Sequence, residues 1–459
     1  QSVFLTGKAG TGKSTFLRYI TANTRKNCVV LAPTGIAAVN AGGQTIHSFF
    51  KIPLRPILPD DDDFTRSKLS ERMKYSGAFI KLLKALDLII IDEISMVRAD
   101  IIDFIDKLLC HFTGNRREPF GGKQLLLVGD VFQLEPVVTG DTRDIIRQYY
   151  PNPYFFSARV FSEVGIVPIE LRKVYRQNQA EFISLLDRLR TATTTPADIM
   201  ALNARCVPAA DIDAHDEERM TMTLATRRDM VDHINESRLE SIKKPLFTFT
   251  GEITGDFPLN ALPTDLELSL KEGAQVVFIK NDREKRWVNG TLGRVESIAA
   301  DKIEVCLETG GTVVVERERW GNIRYEYNKK TRKVVEKELG SFTQYPLKLA
   351  WALTVHKSQG LTFDNVVIDI GRGAFVGGQT YVALSRCRSL EGLTLRSTIA
   401  ERDVFVNPAV VQFSKSFNSP ALIEGALDNA HADNCFHQAV SAADDGDISA
   451  AFDLFVEGL

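Results

Sequence analysis

The chain carries the stretch Gly7-Lys8-Ala9-Gly10-Thr11-Gly12-Lys13-Ser14 directly after the apolar run VFLT and before a stretch with helical periodicity. This spacing fits the pattern G-x-x-x-x-G-K-[ST], in which backbone N–H groups and a helix N-terminus surround a phosphate. We expect Lys13 to neutralise the outer phosphates and Ser14 to hold Mg²⁺. A chance glycine-rich turn is the alternative, but the flanking strand and helix argue against it. The loop residues predicted to bind nucleotide are Gly10, Gly12, Lys13, Ser14 and Thr15.

Four short apolar runs mark the first third of the chain. They are separated by polar turns and helical stretches, and in order they are VFLT, CVVLA, LIIID and QLLLVG. Apolar runs that alternate with helices are typical of a buried parallel sheet with helices on both faces. We therefore predict a first α/β domain over residues 1–170. The proline-rich and acidic stretch IPLRPILPDDDD breaks this pattern and predicts a surface insertion over residues 50–68.

Two predicted strands end in polar residues. Asp92 and Glu93 follow the run LIII, at the sheet edge where open α/β sheets bind ligands. We expect Asp92 to complete Mg²⁺ coordination and Glu93 to polarise the attacking water. Adjacent carboxylates after a strand are often helix caps, so this pair alone is a weak signal. The presence of the phosphate loop favours the interpretation as a nucleotide site. Gln133, after the next strand, is suited to sensing a γ-phosphate but by itself resembles an ordinary loop residue.

The rest of the chain divides by pattern into three parts. Residues 171–402 again alternate helical and strand signals and predict a second α/β domain. Within it, residues 294–343 read as alternating strands with an Ala-Asp turn and a Gly-Gly turn, which predicts a small all-β insertion. In residues 403–459, Ala, Leu and Phe recur at helical spacing and predict a C-terminal helical segment.

Composition sets few limits on function. The hydrophobic content of 44% and charged content of 25% are those of a globular protein, and the longest apolar runs are far below the roughly 20 residues that span a bilayer. We expect no membrane partner, and a cytoplasmic location in a bacterium or a nuclear or mitochondrial one in a eukaryote. The six cysteines are far apart, which predicts reduced thiols. The net charge of −3 argues mildly against a nucleic-acid partner, although local basic stretches leave that open.

Several motifs together resemble the superfamily-one helicases, specifically the petite-integration-frequency (PIF) family and its RecD-like relatives. They occur in the family's order between Gly7 and Ser389, and they are GKAGTGKST, APTGIAA, TIHSFF, IDEISMV, PFGGKQLLLVGDVFQLEPV, LRKVYRQ, LTVHKSQGLTF and QTYVALSRCRS. The resemblance implies two RecA-like P-loop motor domains. The stretches EGAQVVFIKND and RWVNGTLGRV are similar to those that lead into an SH3-like β-barrel in these helicases. The helices after residue 402 match nothing in the family.

The resemblance also implies roles for individual residues. The catalytic set that it implies is Lys13, Glu93, Gln133, Arg176 and Arg386. Arg176 and Arg386 would reach the γ-phosphate of ATP from the second domain, where arginine compensates the charge of the transition state. Without the resemblance, each arginine would be interpreted as a surface residue. Gly360 joins the residues implied to bind nucleotide, and Ser14 with Asp92 forms the implied Mg²⁺ set.

Two groups of residues predict a track for single-stranded nucleic acid. Thr34 and Gly35 should open a helix whose N-terminus takes a phosphate. The motif TIHSFF combines hydroxyl donors with aromatic faces for base stacking, and LTVHKSQG offers a second phosphate-binding set. Histidine and phenylalanine are more often core residues, and we expect one of Phe49 and Phe50 to be buried. The predicted contact residues are Thr34, Gly35, Thr45, His47, Ser48, Phe49, Thr354, His356 and Lys357.

The resemblance implies an ATP-dependent DNA helicase that moves 5′-to-3′ on single-stranded DNA and opens duplex or quadruplex junctions. Roles in DNA repair, recombination, telomere maintenance and G-quadruplex removal are family-level expectations, and a monomer is expected. The stretch IPLRP within residues 50–68 is a candidate wedge that splits the duplex. Two other classes stay open: a related RNA helicase or a non-motor nucleic-acid-binding module, and a nucleotide-switch ATPase that does not translocate. The sequence lacks the N-K-x-D motif of guanine-binding switches.

Overall fold

The computed structural model describes residues 2–458, except for residues 54, 137, 139, 178, 208–219, 300–301, 329–330, 332, 372–376 and 445. Leu54 of the predicted wedge and the predicted Ala-Asp turn at 300–301 therefore lie outside the described residues. In the described part, no helix combines the length and the apolar character needed to cross a membrane. The fold is mixed α/β, as the sequence predicts.

A six-stranded parallel sheet organises the first part of the chain, with strand order β3-β2-β4-β5-β1-β6. The four apolar runs form β1, β2, β4 and β5, which are buried because apolar side chains pack on both faces of the sheet. The edge strands β3 and β6 were not predicted from the sequence. The strands are β1 Val3–Gly7, β2 Cys28–Ala32, β3 Gln44–Thr45, β4 Leu88–Ile91, β5 Gln124–Val128 and β6 Val167–Leu171.

Helices cover this first sheet. The longest of them, α6, places apolar residues at intervals of three and four, so that Ile101, Ile105, Leu108 and Leu109 are buried on one side. The helices are α1 Lys13–Asn23, α2 Gly35–Ala41, α3 Ile46–Phe50, α4 Leu69–Met73, α5 Gly77–Ala85, α6 Ala99–Thr113, α7 Gly140–Arg147 and α8 Arg159–Val164.

A second parallel sheet, with strand order β18-β7-β19-β20, lies in the second part of the chain. Its core also contains apolar residues of the helices α9 and α12. The strands are β7 Met222–Ala225, β18 Ala352–Thr354, β19 Val366–Asp369 and β20 Leu393–Leu395. The helices are α9 Ala180–Arg190, α10 Pro196–Asn203, α11 Arg228–Ser241 and α12 Gln379–Leu384.

Residues 294–343 contribute to two antiparallel sheets rather than to one. The strands β12 to β14 form a five-stranded sheet with β11 and β17, while β15 and β16 form a long hairpin that pairs with β9. A further pair joins β8 to β10. The strands are β8 Phe247–Thr250, β9 Glu252–Gly255, β10 Glu267–Leu270, β11 Gln275–Phe278, β12 Leu292–Ala299, β13 Lys302–Leu307, β14 Thr312–Val315, β15 Glu318–Asn328, β16 Lys333–Gln344 and β17 Leu347–Leu349.

The long hairpin also packs on the first part of the chain. The backbone N–H of Val30 donates to the hydroxyl of Tyr325 (3.3 Å), and the ring of Tyr325 lies 6.1 Å from that of Phe49. Alternation along a strand gives the face of a residue but not its distant partner, so the sequence did not reveal this contact.

Three helices complete the chain: α13 Pro408–Ser414, α14 Pro420–Asp444 and α15 Ile448–Glu457. The first of them packs on the first sheet, since the ring of Phe413 stacks 5.8 Å from that of Phe4. The other two form a hairpin, and Gly446 between them has a positive φ angle of 87°.

The described part of the predicted insertion, residues 50–68, folds back on the first domain. The backbone N–H of Ile57 donates to the carboxylate of Asp100 (3.0 Å), and Tyr149 donates its hydroxyl to Asp60 (2.7 Å). Arg55 forms ion pairs with Asp61 and Asp63 within the segment. Because Ile57, in the middle of the segment, is anchored to Asp100 at the start of α6, the segment is held close to this helix.

Candidate nucleotide and nucleic-acid site

The phosphate loop joins β1 to α1 at the carboxyl edge of the first sheet. Gly10 and Gly12 have positive φ angles of 80° and 90°, which glycine adopts without strain. Lys13 opens α1, and its ammonium group donates to the carbonyl oxygens of Gly7 (2.6 Å) and Lys8 (3.1 Å). Burial lowers the pKa of Lys13 despite the nearby carboxylates of Asp130 and Glu93. Ser14 and Thr15 are exposed next to it.

The carboxylates of Asp92 and Glu93 lie after β4, at the same edge of the sheet and separated from β1 by β5. The backbone N–H of Asp92 continues the sheet by donating to Leu31, and Glu93 has a left-handed backbone (φ 51°). Burial raises the pKa of both carboxyl groups, and the charge of Asp92 raises that of Glu93 further. The positive charges of Lys13 and Arg386 act in the opposite direction on Glu93. A carboxylate with a raised pKa is a better proton acceptor than an ordinary one.

The second part of the chain lies directly against the phosphate loop. The backbone N–H of Tyr175 donates to Gly10 (2.9 Å), and the N–H of Ala9 donates to the hydroxyl of Tyr381 (3.2 Å). A Cβ at Gly10 would lie 2.3 Å from the Cβ of Arg176, so this close approach requires glycine. The phosphate loop is thus contacted by Tyr175, which precedes α9 in the sequence, and by Tyr381, which lies in α12.

Arg176 and Arg386 converge near this interface. Arg386 is 2% exposed and donates to the carbonyl oxygens of Val382 (2.9 Å) and Ser358 (3.4 Å). Arg176 donates to the carbonyl of Gly360 (3.4 Å), and its buried Nη1 has no hydrogen-bond partner in the described part of the chain. Burial, followed by the positive charge of Arg386, lowers the pKa of Arg176. Two guanidinium groups so close together favour an anion between them.

Arg190, at the end of α9, is an interface residue that the sequence analysis missed. It is 4% exposed, and it forms ion pairs with Asp130 (3.0 Å) and Glu170 (3.0 Å), both in the first part of the chain. Its guanidinium also lies 4.3 Å from the ring centroid of Phe132. Burial lowers the pKa of Arg190, but the charge and hydrogen bond of Asp130, together with the charges of Tyr381 and Glu170, outweigh it, and the net shift is upward. The interface role of Arg190 was not evident from the sequence, because a basic residue in the last turn of a helix is common.

Gln133 belongs to the same network. Its side-chain amide lies 3.4 Å from the carboxylate of Asp130, and the residue is 9% exposed. The carboxylate that holds Arg190 therefore also orients the predicted γ-phosphate sensor.

A cleft of about 630 Å³ joins part of the nucleotide set to part of the track set. Among its lining residues are Ser14, Thr34, Asp92, Glu93, His356, Lys357 and Gly360. The structure thus brings these predicted residues together. It does not place Thr45, His47 or Ser48 in the same lining: Thr45 ends β3, and His47 and Ser48 lie in α3.

The predicted track residues differ in how accessible they are. Ser48 and Lys357 are exposed, whereas Thr354 is 9% exposed and its hydroxyl accepts from the N–H of Lys357 (3.2 Å). The hydroxyls of Thr34 and Thr45 cap the helices that begin at Gly35 and Ile46. Burial lowers the pKa of both His47 and His356, which favours neutral rings.

The structure contradicts the stacking role predicted for Phe49. Phe49 and Phe50 are 3% and 0% exposed, so both are buried, where one was expected to be. The ring of Phe49 packs 5.3 Å from that of Phe79 in the core. The reason is that α3 has only five residues and lies against the sheet, so both aromatic side chains face the core.

Lys348 is a second residue that the sequence analysis missed. It lies in β17, and burial together with the charge of Lys357 lowers its pKa to about 8. Two lysines so close together form a candidate phosphate-binding pair. Nothing in the strand-like sequence around Lys348 signals this proximity.

Comparison with known proteins places this architecture in a family. A family model described as PIF1-like helicase matches residues 1–195. ATP-dependent DNA helicase PIF1 of Homo sapiens is 33% identical over 94% of this chain, which spans 65% of that protein's length. ATP-dependent DNA helicase Pif1 of Bdellovibrio bacteriovorus is 32% identical over 91% of this chain, which covers 89% of that protein.

Solved structures of Bacteroides Pif1 are also similar to this chain. The complex with ADP-AlF4 has a TM-score of 0.84 at 39% identity, with 92% of this chain and 94% of that chain covered. The complex with single-stranded DNA has a TM-score of 0.62 at the same identity and coverage. The agreement extends over most of both chains.

The phosphate loop, the acidic end of β4 and the parallel sheets define a P-loop ATPase with a RecA-like fold. The chain belongs to the PIF1-like helicase family, whose matched members are named ATP-dependent DNA helicases.

Proposed function

We propose that this chain is an ATP-driven motor that translocates on single-stranded DNA and unwinds duplex DNA. The observation that carries the proposal is that two arginines of the second α/β part approach the nucleotide residues of the first: Arg176 lies against Gly10 of the phosphate loop, and the charge of Arg386 acts on Glu93. In an ATPase whose two domains share one nucleotide, binding and hydrolysis change the relation between the domains.

In the hydrolysis step, the phosphate loop holds the outer phosphates of ATP and Lys13 neutralises part of their charge. Glu93 orients and deprotonates the attacking water, which its raised pKa favours. Arg176 and Arg386 compensate the charge that develops on the transferred phosphoryl group. Gln133 reports on the γ-phosphate through its contact with Asp130.

The chain also offers a suitable Mg²⁺ site. Ser14 and Asp92 line the same cleft, and both are oxygen donors, which Mg²⁺ prefers. When bound there, Mg²⁺ would neutralise phosphate charge. Thr15 and Gly360 remain proposed nucleotide contacts.

The DNA track is proposed to cross both domains. Thr34, Gly35, Thr45, His47 and Ser48 belong to the first domain's share, and Thr354, His356 and Lys357 to the second's. Lys348 extends the second set. Contact in this scheme is made with phosphates, because the structure offers hydroxyl, lysine and imidazole donors rather than an exposed ring at Phe49.

Several finer assignments are part of the proposal. The domains are residues 1–170 and 171–402, the SH3-like barrel lies within residues 294–343, and the helical tail is residues 403–459. Residues 50–68 act as the wedge, anchored near α6 by Ile57. Travel is 5′-to-3′, and quadruplex junctions are substrates; these two points rest on the resemblance. The working unit is a monomer.

ATP hydrolysis measured with different activators tests the proposal. Single-stranded DNA should stimulate hydrolysis strongly, blunt duplex much less, and RNA of the same sequence less than DNA. A rate that no nucleic acid changes would indicate a nucleotide switch instead. Greater stimulation by RNA than by DNA would favour an RNA helicase.

Binding of single-stranded DNA should weaken linearly with the logarithm of salt concentration, because phosphate contacts release counterions. Lys357→Ala should reduce the slope by about one. Lys26→Ala is the matched control, since Lys26 is exposed just before β2, at the opposite edge of the sheet from the phosphate loop. Titration by fluorescence anisotropy at several salt concentrations measures both slopes. An unchanged slope for Lys357→Ala removes this residue from the track.

Arg190→Ala should lower the free energy of unfolding by about 3 to 5 kcal/mol, because it leaves the buried carboxylate of Asp130 unpaired. Arg188→Ala is the control: Arg188 lies in the same helix, but its side chain is 36% exposed and its partner Asp198 keeps the hydrogen bonds from Thr195, so the loss should be about 1 kcal/mol or less. Urea denaturation of both variants gives the comparison. Equal losses for the two variants would show that the interface ion pair of Arg190 has no special weight.

A further inference from the structure

The hairpin of α14 and α15 carries a cluster of potential metal ligands, remote in sequence from the motor motifs. His431 and Cys435 lie one turn apart on α14, and Glu457 is the last residue of α15. His431 Nε2 is 3.7 Å from Cys435 Sγ and 3.6 Å from Glu457 Oε1. The three ligand atoms lie within 4.8 Å of one another, and the described residues contain no second group of this kind.

These separations match those of a tetrahedral zinc site. Zn–S bonds of about 2.3 Å and Zn–N or Zn–O bonds of about 2.0 to 2.1 Å place ligand atoms roughly 3.3 to 3.6 Å apart. The observed distances of 3.7 and 3.6 Å exceed these by small amounts, and the ligand atoms of Cys435 and Glu457 lie within 4.8 Å of each other. Rotation of the exposed Glu457 side chain closes this wider gap. We propose that His431, Cys435 and Glu457 bind Zn²⁺, with water as the fourth ligand.

The three ligand types, imidazole, thiolate and carboxylate, favour Zn²⁺ over Mg²⁺ and Ca²⁺. Imidazole and thiolate are preferred by Zn²⁺, whereas Mg²⁺ and Ca²⁺ prefer oxygen donors alone. Binding replaces the S–H bond of Cys435 with a Zn–S bond and releases the proton to solvent. The oxidation state of the metal and of the sulfur does not change.

The packing of the hairpin holds the ligands in place. Cys435 is 3% exposed, and a Cβ at Gly458 would lie 3.1 Å from the Cβ of Cys435, so the end of α15 approaches this cysteine closely. The rings of Phe436 and Phe455 pack 5.3 Å apart beside the cluster. The buried thiol therefore sits at the junction of the two helices.

Access and charge also favour a cation. The side chains of His431 and Glu457 are 60% and 59% exposed, so the site opens to solvent and leaves room for a water ligand. Residues 416–459 contain eight Asp and Glu residues and neither Lys nor Arg. This concentration of negative charge attracts divalent cations to the hairpin. Zn²⁺ bound here would join α14 to α15.

Cobalt spectroscopy tests the proposal with the full chain, purified without a polyhistidine tag. Addition of Co²⁺ should produce a thiolate charge-transfer band and the visible bands of tetrahedral coordination, and Zn²⁺ should displace both. Cys435→Ser should abolish the charge-transfer band. His431→Ala should weaken Zn²⁺ binding by about a hundredfold or more, because loss of groups that merely support a ligand already costs 10- to 100-fold.

Two variants serve as controls. Cys110→Ser removes a half-buried cysteine in α6, and Glu424→Gln removes an acidic residue from the same helix as His431. Both should leave the cobalt spectrum unchanged. Circular dichroism verifies that the hairpin variants retain their helices. Absence of the charge-transfer band in the unmodified chain overturns the proposal, as does a band that survives in Cys435→Ser or is lost in Cys110→Ser.

Discussion

Arg176→Ala and Arg386→Ala should each slow DNA-stimulated ATP hydrolysis by about a thousandfold or more, within the range of roughly 10³ to 10⁵ found for arginines supplied to a transferred phosphoryl group. The reason is that Arg176 lies against Gly10 of the phosphate loop and Arg386 lies near Glu93, so both supply positive charge to the γ-phosphate from the second part of the chain. The affinity for ATP should change much less, since Lys13 remains.

The double variant sharpens this test. If the two arginines act as a unit, removing both should be little worse than removing either one. Single-stranded DNA binding without nucleotide should persist in all three variants. Arg388→Ala is the matched control, because Arg388 lies two residues from Arg386 but is paired with Asp364 at the surface. Hydrolysis within a few-fold of the parent in either single variant would mean that this arginine does not act on the phosphate.

Lys13→Ala and Glu93→Gln should both reduce hydrolysis steeply, but for different reasons. The first removes the charge that neutralises the outer phosphates, so both ATP binding and turnover should fall. The second removes the proton acceptor and preserves the shape of the side chain, so ATP binding should survive while turnover is lost. Steady-state hydrolysis and binding of a fluorescent ATP analogue separate the two effects. Near-normal turnover in a folded Glu93→Gln variant would contradict the role of Glu93.

The sequence predicted the first parallel sheet well, because buried parallel strands are continuous apolar runs that need no distant information. It did not predict β3 or β6. The strand β3 has only two residues, and β6 contains proline and glutamate, so neither resembles a buried strand. Local pattern is informative where both faces of a strand are buried and weak at the edge of a sheet.

The candidate site was predictable to the extent that its residues lie in sequence motifs. Ser14, Asp92 and Glu93 meet in one cleft because they follow β1 and β4, two strands of one parallel sheet that are separated only by β5. Arg190 and Lys348 could not be found in this way, since their importance depends on contacts with residues far away in the sequence. Phe49 shows the opposite error, because an aromatic residue in a nucleic-acid-binding motif can equally belong to the core.

Strand displacement from 5′-tailed and 3′-tailed DNA duplexes tests whether ATP hydrolysis drives movement along DNA. We expect ATP-dependent displacement from the 5′-tailed substrate, little from the 3′-tailed one, and none with Lys13→Ala. Displacement from the 3′-tailed substrate alone would reverse the proposed direction. Failure to displace either strand by a chain whose ATP hydrolysis is stimulated by single-stranded DNA would contradict the motor and indicate a non-motor nucleic-acid-binding module.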